Sequence, residues 1–262
     1  MKSIKITIAV IALAAMAAGT SSCYIRISDE AREKIKSEIN YRRTFSEVVY
    51  SESEPAVFHP GEFNSLDVSN WMDVTFIPRE GEPEVLVSGT HRSRDEVRVE
   101  NEAGTLKIFF NSNERGVTVA NDEKVTIYAP GISVLNKQGS GDIHFGKTLR
   151  GQALTISASG SGDVIIDECE IVGPVTINKT GSGDVRATIR GDVVYVTADG
   201  SGDVNLEGSA KELILDKSGS GSFYSGYMDA SSVTLQRISG SGEVAYREKG
   251  KVVSATKLNQ SM

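Results

Sequence analysis

Six copies of one turn decide the fold: Gly139-Ser140-Gly141-Asp142, Gly160-Ser161-Gly162-Asp163, Gly181-Ser182-Gly183-Asp184, Gly200-Ser201-Gly202-Asp203, Gly219-Ser220-Gly221-Ser222 and Gly240-Ser241-Gly242-Glu243. Successive copies are 21, 21, 19, 19 and 21 residues apart. A nearly constant period of about 20 residues marks stacked β-coils, in which each unit buries its apolar side only against its neighbours. After each turn an apolar column, Ile143, Val164, Val185, Val204, Phe223 and Val244, is followed two residues on by Phe145, Ile166, Ala187, Leu206, Ser225 and Tyr246. His144, Ile165, Arg186, Asn205, Tyr224 and Ala245 lie between them, so period 2 puts the first two columns inside and the third outside. A second strand precedes each turn, as in Leu154/Ile156, Val175/Ile177, Val194/Val196 and Leu213/Leu215. In the sixth copy, Val233/Leu235 sits one residue further from its turn, which predicts a bulge.

Two strands joined by two turns return the chain to its starting edge one layer higher, about 4.8 Å on. If residues 63–250 coil throughout, about nine layers form a rod on the order of 45 Å long. Parallel crossovers favour the right hand. Glycine suits these corners because a tight reversal needs positive φ and stacked corners leave no room for side chains. The short polar residue that follows can accept bonds from turn amides. The residues two before each turn are Lys137, Ala158, Lys179, Ala198, Lys217 and Ile238, so the unit also repeats in pairs. Those three before the turn, Asn136, Ser157, Asn178, Thr197, Asp216 and Arg237, pair in the same way. Either large and small residues alternate in one stack, or each coil holds two repeats with turns at both edges. The fold class is all-β, a right-handed parallel β-helix with about 20 residues per coil, or about 40 in the alternative.

Upstream, from Phe63, short alternating strands continue the β texture: Leu66-Asp67-Val68, Val74-Thr75-Phe76-Ile77, Val85-Leu86-Val87, Val97-Arg98-Val99, Leu106 to Phe110 and Val125 to Tyr128. Residues 23–62 read as a tether. A charged stretch from Ser28 to Arg43, with Ile35 and Ile39 four apart and Ser28 or Asp29 as cap, predicts a short helix there. Residues 251–262 read as a tail or last strand.

The chain holds 26 glycines in 262 residues, about 10 % against a usual ~7 %, and the excess sits in the turns. Its formal charge is −7; without residues 1–22, which carry Lys2 and Lys5, 26 basic and 35 acidic residues leave −9. Nucleic acid is a poor partner for such a surface.

Lys2 and Lys5 precede a mostly apolar run over residues 6–18, and Gly19 to Ser22 are small residues ending at Cys23. The run is too short to span a bilayer as a helix. With cysteine at the cleavage point the segment resembles a bacterial lipoprotein signal, although Thr20 stands where that pattern prefers a branched aliphatic. The resemblance implies diacylglycerol on the Cys23 thiol and a third acyl chain on its amino group, which together anchor stably where one chain is marginal. Membrane contact then runs through Cys23. Cys169 has no partner for a disulfide and reads as a small strand residue.

Little in the chain reads as chemistry. His59, His91 and His144 have no neighbours at metal-ligand spacing. A dinucleotide fingerprint needs a third glycine where the repeats place His144, Ile165, Arg186, Asn205, Tyr224 and Ala245. Asp142, Asp163, Asp184 and Asp203 could stack as a ladder of like charges that calcium would relieve. The calcium-binding β-roll has a much shorter period, however, and Ser222 interrupts the ladder. No cofactor is expected.

The Gly-Ser-Gly-Asp-Val repeat, with the strands from Phe63 to Phe110 before it and the leader, resembles the auto-transporter adhesin family with a head GIN domain. That resemblance implies a pectin-lyase-like β-helix without catalytic residues and a role in adhesion at the Gram-negative cell surface. Ser222 and Glu243 depart from its acidic position. The expectation is a non-enzymatic protein of the cell envelope, lipid-anchored at the outer membrane and facing either periplasm or surface. Its rigid faces would hold a glycan or protein ligand, or a second copy. Outward Ile165, Tyr224 and Tyr227 on one strand set, and Tyr195 and Ile214 on the other, are the candidate contacts. A polysaccharide-acting enzyme or a periplasmic scaffold without external ligand are the alternatives.

Overall fold

The computed structural model describes residues 54–69, 71–89, 96–110 and 123–254. The leader, Cys23, the helix expected over Ser28 to Arg43, and His91 lie outside the described residues. Every described element lies in one compact unit, Ser51–Met262.

All of those elements are strands. The repeats form β8 (Val134–Gln138), β9 (Ile143–Gly151), β10 (Leu154–Ala158), β11 (Val164–Lys179), β12 (Val185–Ala198), β13 (Val204–Lys217), β14 (Phe223–Ile238) and β15 (Val244–Glu248). They pair in parallel, one repeat above the next: Val164 opposes Ile143 and Val185, and Val204 opposes Val185 and Phe223. One repeat is therefore one coil. Each coil runs along a first face after its turn, bends, and returns along a second face to the next turn, where Ile156 opposes Leu135 and Ile177. The register shifts between Leu215 and Asp216, whose partners are Leu235 and Arg237, so Gln236 is the extra residue of the expected bulge.

The layers before the first turn depart from simple coiling. β2 (Ser65–Ser69) and β3 (Asp73–Pro78) lie directly beneath β8 and β9, far ahead in sequence. β6 (Thr105–Phe110) and β7 (Lys124–Ala129) lie beneath those in turn. The layer made first is thus held between two made later. β1 (Ala56–Phe58), β4 (Glu84–Ser88) and β5 (Val97–Glu102) pair antiparallel. Coils do not follow chain order from residue 63, because β6 and β7 pair on the far side of β2 and β3, and β5 enters β6 antiparallel. Ala103 (φ 50°) and Gly104 (φ 80°) form a two-residue turn with both φ positive, which reverses β5 into β6 as a hairpin instead of sending it up a layer. The same device recurs at the far end, where Lys249 (φ 49°) and Gly250 (φ 76°) join β15 to the antiparallel β16 (Lys251–Ser254).

Inward columns fill the interior. Leu66, Phe76, Leu106, Ile127, Leu135, Ile143, Val164, Val185, Val204 and Phe223 are each fully buried, and Phe76 and Phe145 pack with ring centroids 5.1 Å apart. Ser225 and Tyr246 continue the second inward column, where Ser225 is buried and Tyr246 half-buried.

Candidate functional site

The corner column is built from backbone. The first glycine of each turn has φ between 86° and 103°, which disfavours a side chain in the left-handed region. The second packs on the layer below: a Cβ on Gly162, Gly183 or Gly202 would lie 2.1 Å from the carbonyl oxygen of Gly141, Gly162 or Gly183 respectively. The corners also bond to one another, since the Ser161, Ser182, Ser201 and Ser220 amides donate to the Gly139, Gly160, Gly181 and Gly200 carbonyls at 2.9–3.0 Å.

Beside the corners runs an acidic ladder. The amides of Asp163, Asp184, Asp203 and Ser222 donate to the Oδ1 atoms of Asp142, Asp163, Asp184 and Asp203 at 2.7–2.8 Å. It begins one layer below the first turn, where the Asp142 amide donates to Asp73 Oδ1 at 3.0 Å, and continues past Asp203 through the Ser222 hydroxyl, which accepts from the Glu243 amide. One oxygen of each calcium candidate is thereby engaged by backbone. Arg186 takes the second oxygens of Asp163 (3.0 Å) and Asp184 (2.7 Å). Among the described residues no three acidic, histidine or cysteine side chains converge as metal ligands. Asp73 is missed in sequence because no Gly-Ser-Gly precedes it; the signal present is the Asp73-Val74 step, which matches Asp184-Val185.

Behind the corners lie Lys137, Lys179 and Lys217, each 1 % exposed. The Lys137 ammonium donates to the carbonyl of its own turn, Gly139 (3.1 Å), and to Gly162 one layer up. Lys179 does the same with Gly181 (3.1 Å) and Gly202, and Lys217 reaches Gly219 (3.3 Å). Each of the first two lysines spans two layers, and the alanine between, Ala158 or Ala198, leaves it room. The paired period is large–small alternation in one stack of 20-residue coils, with no 40-residue coil. Burial lowers all three ammonium pKa values, and neighbouring acids partly offset this: Asp142 and Asp163 at Lys137, Asp184 and Asp203 at Lys179, Asp203 at Lys217.

The outward faces differ in character. At the bend after the first face, Arg190 pairs with Glu168 and Arg150 with Glu170 (2.9 Å). A bond from the Thr148 hydroxyl, then the arginines, holds the Glu168 carboxyl below its ordinary range. His144 Nε2 lies 2.8 Å from Asp167. Cys169 is buried, which pushes its thiol up to about 12 and leaves it inert as a nucleophile. Of the candidate contacts, Tyr195 and Ile214 are cross-strand neighbours on the second face. Ile165 and Tyr224 share one row of the first face with Arg186 and Asn205 between them, so they form no common patch. Tyr227 is 78 % exposed at the bend, opposite Glu207.

The sequence of residues 62–257 matches the family model described as "Putative auto-transporter adhesin, head GIN domain". The chain belongs to this family. Solved structures share its fold. A "putative adhesin" from Parabacteroides distasonis is 19 % identical with a TM-score of 0.67, covering 74 % of this chain and 82 % of that one. A "putative lipid binding protein" from the same species is 21 % identical with a TM-score of 0.61 over 76 % and 90 %. A "putative adhesin" from Bacteroides fragilis is 20 % identical with a TM-score of 0.58 over 76 % and 97 %. No curated protein matches the chain.

Proposed function

We propose that this head GIN family member is a non-enzymatic adhesin of the cell envelope, anchored through a lipidated Cys23, whose outward solenoid faces make the contacts. Family membership is the observation that carries the adhesive role. The architecture supports it physically: side chains fill the interior, and the corner polar groups bond between layers, so ligand contact falls to the faces. Two similar structures bear the name "putative adhesin", in keeping with this reading. Extracellular protease applied to intact cells should remove the domain, and cells producing the Cys23→Ser protein should release it from the membrane and adhere less to host-cell or polysaccharide-coated surfaces. Equal adhesion by cells with and without the protein would sink the proposal.

A further inference from the structure

On the second face, a groove of about 210 Å³ runs across three layers beside the corners, lined by Asn136, Gln138, Ser157, Ser159, Asn178 and Thr180. Asn136, Ser157 and Asn178 stand in register, one per layer, at the layer repeat of about 4.8 Å. All six are neutral and polar. Lys137 borders the groove but turns its ammonium inward to the glycine carbonyls, so it brings no charge to the surface. The bend on the other side of the coil is studded with arginine–carboxylate pairs, whereas this stripe carries none in those layers. Among the described residues the side-chain amides of Asn136, Gln138 and Asn178 make no hydrogen bond, so their donors and acceptors are available to a ligand. One layer further on, Tyr195 (42 % exposed) stands opposite Thr176 on the same face and offers a ring.

We infer that this groove binds a neutral glycan chain laid along the solenoid axis. Carboxamides and hydroxyls pair with sugar hydroxyls, repetition by layer suits a repeating polymer, and Tyr195 stacks on the apolar side of a sugar ring. Absence of charge in the groove favours a neutral polymer over an acidic one in a chain whose net charge is −7. The inference rests on the adhesive reading and names its ligand class.

Full-length protein in detergent should be titrated with short and long neutral oligosaccharides of the β-linked glucose, mannose and N-acetylglucosamine series. Affinity should rise with chain length and change little with salt. The double variant Asn136→Ala/Asn178→Ala, with an unchanged melting temperature, should bind about tenfold more weakly, the loss expected from removing two net hydrogen bonds. Tyr195→Ala should weaken binding as well. Full affinity in the double variant, or no binding to any of the three series, overturns the groove. If cells still adhere through the protein in that case, the adhesive reading survives it. Binding that needs the asparagines, in cells whose adhesion ignores the protein, upholds the groove and removes the adhesive role.

Discussion

A methyl group placed on Gly183 would lie 2.1 Å from the carbonyl oxygen of Gly162, a backbone atom fixed by the stack. Gly183→Ala should therefore cost about 3 kcal/mol or more, read in denaturant unfolding. Gly226→Ala, with nothing within 4 Å of its Cβ and an ordinary φ, should stay within about 0.5 kcal/mol. Lysine 179 poses a different question, because its buried ammonium is held by turn carbonyls. Lys179→Met keeps most of the volume but leaves the Gly202 carbonyl without that donor, and a loss of about 1–3 kcal/mol is expected. Because folding lowers the Lys179 pKa below 10.5, the unfolded chain binds more protons in the window between the two values. The stability of the parent relative to Lys179→Met should then rise as pH climbs toward 10.5 and fall as pH drops through the lowered value. A gap that shrinks with rising pH would contradict a lowered Lys179 pKa.

Each rung of the acidic ladder joins two coils through one oxygen accepting one amide, so charge matters less there than the acceptor. Asp184→Asn should preserve the bond to the Asp203 amide, whereas Asp184→Ala should cost about 1.5–3 kcal/mol, both read by thermal unfolding at matched salt. Equal losses would show that the charge, through Arg186, dominates. Strand positions, inward columns, the turns and the Gln236 bulge were legible because period 2 and fixed spacing are one-dimensional signals. The paired period was visible too, but choosing between its two geometries needed the strand register, which sets each repeat directly on the one before it. Asp73 escaped because its corner is made without the turn motif. The N-terminal layer order escaped because strand pairing across dozens of residues leaves no local mark, although Ala103-Gly104 sits where the hairpin reverses. Of the candidate contacts, only Tyr195 and Ile214 came together, since alternation fixes a face and says nothing about which rows adjoin.

At the scale of the whole β unit, stability should behave as a sum of coils and their interfaces, closed at the ends by the β5–β6 and β15–β16 hairpins. Removing residues 160–199, two complete coils, keeps the alternation of lysine with small residues and should leave a cooperatively folded protein. Removing residues 139–159 sets Lys137 and Lys179 in adjacent layers, where two buried ammonium groups compete, and should destabilise far more. Throughout the stack one repeat makes one coil. Spin labels on Thr155 and Thr234, outward in the same row four layers apart, measure it directly by pulsed dipolar spectroscopy. A backbone separation of about 19 Å is expected, and about 10 Å, two layers of a doubled coil, would contradict the account.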